Sequence, residues 1–287
     1  MRKAKAFCPG HVTGFFEICR AKDLLSTGSR GAGLCLSLGA TSEVSIRDST
    51  RQTMKVSING KPSHAEVTKD ALSRIFGKQK LEILIDTDLD LPMGQGFGMS
   101  AAGALSTALA AGSLLGRSRQ RAFEAAHMAE IVKGGGLGDV SALHKGGITI
   151  RKKPGLPPIG EVARIDGRPE VVLCVVGRRM LTKSILSNPA TQRAINKSGS
   201  RRVAELLKNP TLERLMSLSS QFTIESGLAS SNVLDAMSAA SKLGMASMSM
   251  LGSSVFAVGD TIGLERVLSD FGDTSICEVD VKGPRIV

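Results

Sequence analysis

Residues 91–103 read Leu91-Pro92-Met93-Gly94-Gln95-Gly96-Phe97-Gly98-Met99-Ser100-Ala101-Ala102-Gly103; they follow the strand-like run LEILI at 81–85 and lead straight into an alanine-rich helical stretch. Glycines carry no Cβ, so backbone N–H groups can close on an anion, and the helix behind them adds unsatisfied donors and the positive end of its dipole. The segment reads as a phosphate cradle. A P-loop is excluded, because the terminal Gly-Lys-Ser/Thr is absent. A dinucleotide fingerprint is met only as G-x-G-x-x-A at Gly96, Gly98 and Ala101, with no adjacent strand and with Gly116-Arg117-Ser118-Arg119 where an acid should stand. A plain structural turn remains the third reading, at an entropic cost that so many glycines make high.

Candidate chemistry surrounds this loop. Ser100 opens the helix, where its hydroxyl serves either as an ordinary cap or as a Mg²⁺ ligand beside a phosphate. Glu130 lies in AFEAAHMAEIV (122–132) on one helical face with Phe123, His127 and Ile131. A carboxylate on an apolar face needs a partner, and a metal would be one. Gly134-Gly135-Gly136-Leu137-Gly138-Asp139 then sets an acid on a second glycine-rich turn, either as a turn residue or as acceptor for the proton of an attacking hydroxyl. A third cluster of small residues, ASMSMLGSSVF at 246–256, reads alone as a tight hairpin.

Composition narrows the class. The chain has 287 residues, 37 Lys+Arg against 26 Asp+Glu for a net charge of +11, and 42% hydrophobic content, which is globular and not disordered. Nine Phe with no Tyr or Trp argue against a single-strand nucleic-acid binder that stacks bases on aromatic rings. Five cysteines without a CxxC pair imply a reducing, cytoplasmic setting. The start, MRKAKAFCPGHVTGFF, is basic but broken by Pro9 and Gly10, without the apolar core of a signal peptide. The most apolar stretch, 101–115, carries Ser106, Thr107 and Ser113 and reads as a buried helix, so no membrane partner is expected. No GxSxG or HExxH accompanies the four histidines. Between Val171 and Lys208 basic residues dominate, with Glu205 the sole acid; the strip is either a solvated face or an attractor for an anionic substrate.

Along the chain, short β-type runs (AKAFC, GLCLSL, EVSIR, MKVSI) fill the first 58 residues, and helices are expected at about 65–76, 99–115 and 119–133, before a strand GGITIRK. Prolines at 154–158 mark a lobe boundary. Beyond it come a strand EVVLCVV, helices near 188–207, 210–226 and 231–243, strands ASMSML and VFAV, a helix at 261–270 and a last strand. The pattern is α+β in two lobes, 1–156 and 157–287.

Taken in order, the three clusters resemble the GHMP kinases, the relatives of galactokinase, homoserine kinase, mevalonate kinase and phosphomevalonate kinase. Cys8-Pro9-Gly10-His11 matches that family's N-terminal Pro-Gly element, Pro92 to Ala102 its P-x3-G-L-G-S-S-A-A loop, and Met250-Leu251-Gly252-Ser253-Ser254 its late glycine-rich loop. The resemblance implies a two-lobe fold, with a ribosomal-S5-domain-2-like N-lobe and a ferredoxin-like C-lobe. It also implies Mg²⁺-dependent phosphoryl transfer from ATP to a small alcohol. Nucleotide contacts fall on Pro92, Gly94, Gly96, Gly98, Met99, Ser100, Ala101 and Ala102, magnesium on Ser100 and Glu130, and the catalytic acid on Asp139. Residues 9–16, 27–33 and 182–187 are similar to the archaeal pantoate kinases of coenzyme A synthesis, an N-terminal lobe binding ATP and (R)-pantoate as the acceptor. His11, Thr13, Gly252 and Ser253 then fall on the substrate side, and Arg30 or Lys183 is expected to hold its carboxylate, although either also reads as a surface charge. Two departures stand out: His11 occupies the place of the Lys that follows Pro-Gly in mevalonate-type members, and Phe97 and Met99 replace Leu and Ser. A GHMP kinase for mevalonate, phosphomevalonate or homoserine is the alternative, and a non-catalytic RNA-binding S5-like protein is a further one, against which Ser100, Glu130 and Asp139 argue. A homodimer is left open.

Overall fold

Two long antiparallel strands, β1 (Arg2–Cys19) and β2 (Gly28–Asp48), run through the first part of the molecule. The separate runs seen in the sequence are pieces of these two strands. Pro9 and Gly10, which look like punctuation, are taken up in an irregularity of the ladder: the pairing shifts between Pro9 and Gly10 and again between Thr13 and Phe15. Such bulges bend a strand and re-aim its side chains. The short segment between the two shifts carries His11 and Thr13.

This is a computed structural model, and it describes residues 1–180, 185 and 187–287. Among these residues the strands form two sheets. The larger, of eight strands, runs β12-β1-β2-β5-β3-β4, with β6 pairing β2 and β7 pairing β6. Its remaining members are β3 (Thr53–Ile58), β4 (Lys61–Pro62), β5 (Leu81–Leu89), β6 (Ile148–Lys153), β7 (Glu161–Ile165) and β12 (Arg285–Ile286). β3 and β5 are parallel, joined through α1 (Glu66–Phe76); the other pairings of this sheet are antiparallel. The second sheet, β11-β8-β10-β9, is antiparallel and uses β8 (Glu170–Val175), β9 (Gly244–Met248), β10 (Ser254–Gly259) and β11 (Asp273–Glu278). The divide at 156 falls between β6 and β7, which pair with each other, so membership passes to the second sheet only after Ile165, and β12 returns to the first.

The helix behind the glycine loop, α2 (Met99–Leu114), is buried on nearly every side. Its Ala and Gly residues let β1, β2, α1 and α3 (Arg119–Lys133) approach closely, so small volume stands in for amphipathic patterning. Its buried hydroxyls are all partnered: Ser106 Oγ lies 2.8 Å from Ser42 Oγ, Thr107 Oγ1 donates to Gly103 O at 2.7 Å, and Ser42 also meets Thr87 at 2.9 Å.

The C-terminal part contributes α5 (Pro189–Lys208), α6 (Leu212–Ser226), α7 (Ser231–Ala240) and α8 (Thr261–Leu268). Asn188, Thr211, Ser230 and Asp260 cap their N-termini with side-chain acceptors. Two arginines of the basic strip serve the packing here. Arg202 is fully buried, donating to Leu218 O at 3.1 Å and lying 2.8 Å from Glu225 Oε1, while Arg201 pairs with Glu225 at 2.7 Å. These two arginines join α5 to α6 and form no anion-attracting cleft.

Phe222 of α6 joins that layer to β1, its ring 6.4 Å from that of Phe15 and 5.9 Å from that of Phe16. Truncating a fully buried Phe costs about 3–5 kcal/mol. Phe222→Ala is expected to lose an amount in that range, read by denaturant unfolding, whereas Ile224→Ala, at a 67% exposed position of the same helix, should stay within about 0.5 kcal/mol of the parent. Equal losses would contradict this packing.

Candidate active site

The loop before α2 turns three times through the left-handed region, at Gly94 (φ 78°), Gly96 (φ 78°) and Gly98 (φ 66°), where a side chain is strained. Gly98 is the residue that caps α2, so the helix begins with free N–H groups and no side chain over them. The third cluster of the sequence buttresses this loop from behind. Ser249 Oγ donates to Gly96 O at 2.7 Å, Ser254 Oγ to Gln95 O at 2.5 Å, and the Ser253 N–H to Gln95 Oε1 at 3.2 Å. Gly252 packs on the Gln95 backbone so closely that a methyl would not fit. Gly252 and Ser253 therefore hold the cradle from outside, and it is Met250 and Leu251 that line the cavity in front of it.

That cavity gathers side chains from elements far apart in the chain. Glu130 comes from the last turn of α3, Asp139 from the start of α4 (Asp139–Leu143), Arg151 from β6, and Thr13 from the bulged stretch of β1. Gly94, Gly96, Gly98, Met99, Ser100 and Ala101 form the wall below the helix end. Pro92 and Ala102 lie off it, Pro92 exposed on the far side of the loop and Ala102 in the core. The glycines at 135, 136 and 138 make the convergence possible: a Cβ at these positions would run into Glu130, Asp139 and Arg151 respectively. The short helix α4 was not visible in the sequence, where Gly138-Asp139 reads as a turn.

Glu130 is 2% exposed. Ser100 Oγ donates to its Oε1 at 2.5 Å and the Gly136 N–H to its Oε2 at 2.6 Å. Burial pushes its pKa up to about 7; the two hydrogen bonds oppose that rise, and the charge of Asp139 adds to it. Asp139 Oδ1 accepts from His11 Nδ1 at 2.9 Å, and burial lowers the pKa of that fully enclosed imidazole. Thr13 Oγ1 lies 3.5 Å from His11 Nδ1 and 3.5 Å from Arg151 Nη2.

Arg151 is the residue that sequence reading missed. It is 1% exposed, yet its Nε and Nη1 have no hydrogen-bond partner. A buried guanidinium with unanswered donors is costly, which points to an anion as its missing partner. The sequence of β6 carried no signal for it: in ITIRKK strand alternation sets Arg151 on the face of Thr149 and Lys153, opposite Ile148 and Ile150, yet all four residues from Ile148 to Arg151 are buried. Arg30, the cation expected from the sequence, is engaged elsewhere: its Nη1 donates to Glu17 Oε2 at 3.0 Å and its Nε to Lys152 O at 3.0 Å, away from the cavity wall. Lys183 lies outside the described residues. His127 Nε2 faces the carbonyls of Thr27 at 3.0 Å and Leu24 at 3.2 Å, tying down the loop that leads into β2.

Comparison with known proteins bears on the whole chain. Residues 64–147 match the family model of the GHMP kinases N-terminal domain. The chain is 34% identical to the pantoate kinase of Methanocaldococcus jannaschii, over 95% of this chain and 99% of that protein. It is 35% identical to the pantoate kinase of Thermococcus kodakarensis, over 98% of this chain and 97% of that one. A solved structure described as a phosphotransferase related to the CoA biosynthesis pathway superposes with a TM-score of 0.91 at 33% identity, covering 100% of this chain and 99% of its own.

The Glu130 environment has a measurable consequence. A carboxyl whose folded-state pKa is about 7 against an ordinary 4.5 keeps its proton in the folded protein while the unfolded chain loses it. Its cost to stability therefore builds as pH rises from 4.5 to 7, is small at pH 5 and is complete above 7. At about 1.4 kcal/mol per unit, the ionised form costs the folded protein on the order of 3 kcal/mol at pH 8. Glu130→Gln is thus expected to melt near the parent at pH 5 and above it at pH 8, both without divalent cation. An equal difference at both pH values would contradict the buried titration.

Proposed function

This chain belongs to the GHMP kinases, and from that premise we propose that it phosphorylates the primary hydroxyl of (R)-pantoate with ATP, giving 4-phosphopantoate and ADP, a step of coenzyme A synthesis. The observation that carries the substrate assignment is Arg151. This buried cation, whose Nε and Nη1 have no hydrogen-bond partner, lines a cavity that also holds Asp139 and the N-terminus of α2. Pantoate is a carboxylate with a primary hydroxyl at the other end, and a buried guanidinium with unanswered donors favours a carboxylate as its partner.

The roles then divide by chemistry. The glycine loop and the N–H groups that open α2 hold the polyphosphate, with positive dipole and no intervening side chain. A second hollow beside Ser100, lined by Ala65, Val67, Thr68, Leu89, Met99 and Gly103, offers an apolar bed for the nucleoside. Asp139 accepts the proton of the pantoate hydroxyl as that oxygen attacks the γ-phosphorus and the bond to the β-bridging oxygen breaks. Arg151 fixes the other end of the acceptor, so the hydroxyl meets the phosphorus with little lost motion.

Magnesium fits the residues present. Among the described residues no three His, Cys, Asp or Glu side chains converge as a metal site, but Mg²⁺ on a nucleotide takes only one or two protein oxygens and fills the rest with phosphate and water. Ser100 Oγ and Glu130 Oε1, 2.5 Å apart in the cavity wall, supply such a pair. The ionised form of Glu130, costly in this burial, is the one a cation would favour. When bound, the ion neutralises charge on the transferring phosphoryl group. All the groups named lie on this one chain. No helix among the described residues is long and apolar enough to cross a membrane, in keeping with the cytoplasmic metabolic setting of this reading.

The experiment is coupled ADP release with pantoate, mevalonate and homoserine as acceptors. Turnover is expected with pantoate and little with the other two; equal turnover of mevalonate would overturn the acceptor. Asp139→Asn should lower kcat by roughly 10²–10⁴ with the KM for ATP nearly unchanged and no rescue by excess Mg²⁺. Arg151→Lys keeps the charge but loses the fork, and should raise the KM for pantoate by about tenfold or more while that for ATP stays put. A KM for pantoate unaffected by Arg151→Lys would remove that anchor from the account.

A further inference from the structure

The placement of His11 assigns it a task that cavity lining alone does not reveal. Its imidazole is 0% exposed and does not itself line the cavity. Nδ1 lies 2.9 Å from Asp139 Oδ1. A carboxylate only accepts, so the proton of this hydrogen bond belongs to Nδ1. Nε2, at the other side of the ring, is buried with no partner, and it lies against the main chain of Gly33 on β2. A second proton there would have no acceptor and would place a cation in a dry site that already holds Arg151. The groups facing this ring are Asp139 from α4, Arg151 from β6, Thr13 of its own strand and Cys35 opposite it on β2, whose thiol burial keeps protonated. Only Asp139 favours a charged imidazole; burial and Arg151 oppose it.

We propose that His11 is a positioning residue, a neutral imidazole locked as the Nδ1–H tautomer that orients the Asp139 carboxylate through Oδ1 and leaves Oδ2 to take the proton of the acceptor hydroxyl. Its backbone gives the arrangement a second use. The His11 N–H donates to Phe97 O at 2.9 Å, so the strand that steers Asp139 also ties down the glycine loop. Phosphate cradle and proton acceptor are thereby set from one residue. A neutral donor also has a different effect from an ammonium in the same position: it fixes the carboxylate without supplying a full charge that would depress its basicity. This inference rests on the reading of Asp139 as proton acceptor.

The test is the ¹⁵N spectrum of the histidine rings in the intact labelled protein from pH 5.5 to 8.5, with His11 assigned from a His11→Asn sample. The expected result is a protonated Nδ1 and an unprotonated Nε2 throughout the range; an Nε2–H tautomer, or an imidazolium near neutrality, would overturn the proposal. Kinetics give the second readout. Asn places its amide where Nδ1 stands and Gln places it near Nε2, so His11→Asn should keep kcat within about tenfold of the parent, while His11→Gln should lose about 10², as misplaced catalytic groups do. The KM for ATP should stay near the parent value in both. Equal kcat in the two variants would contradict positioning through Nδ1. Full activity of Asp139→Asn would sink the role of Asp139 while leaving the His11 spectrum as it is, so the two failures can be told apart.

Discussion

The site depends on a compensation of charge in a place with little water. Glu130, Asp139, Arg151 and His11 meet around one cavity, three of them essentially buried. None would be tolerated there alone, since burying an isolated ion costs far more than a fold can spare. Asp139 is steadied by the His11 N–H and by the nearby charge of Arg151; Glu130 is held by Ser100 and Gly136 and is driven toward its neutral form. Arg151 retains donors with no acceptor. The protein is therefore incomplete in a specific sense: it has one cation short of an anion and one carboxylate short of a cation. Both deficits are of the kind that a carboxylate substrate and a metal-bound polyphosphate would remove.

The backbone exists to permit that meeting. β1 bends at two bulges and delivers His11 and Thr13. Three closely spaced glycines after α3 let side chains approach to distances that any Cβ would block. The loop at 249–254 props the phosphate cradle through serine hydroxyls bonded to carbonyls of Gln95 and Gly96. That loop belongs to the second sheet, whereas the cradle precedes α2, so the two parts of the chain are coupled at the site itself.

Much of this was legible in the sequence, for reasons that can be named. The glycine loop, Ser100, Glu130 and Asp139 are local patterns, and α2, α3 and α5 start within a residue of their expected positions because Gly98, Ser118 and Asn188 stand at their N-termini. Arg151 and the pairing of His11 with Asp139 were not legible, because the partners are 128 residues apart and only the sheet brings them together. Arg30 misled because a small-residue loop, GSRGAG, resembles a ligand-holding turn; in the fold it is the first part of β2, and Glu17 stands across the ladder from Arg30. The long strands β1 and β2 were read as several short ones, since a Pro-Gly pair inside a bulge cannot be told from a turn without the pairing register.

The central claim is that one cavity holds the γ-phosphate at the start of α2 and the pantoate carboxylate on Arg151, with the acceptor hydroxyl between them at Asp139. The most direct measurement is a crystal structure of the intact protein with a non-hydrolysable ATP analogue, Mg²⁺ and pantoate. The account requires the terminal phosphate at the N–H groups around Ser100, the carboxylate on the guanidinium of Arg151, and the primary hydroxyl within hydrogen-bond distance of Asp139 Oδ2. A carboxylate seated on Arg30, or a hydroxyl out of reach of Asp139, would contradict it.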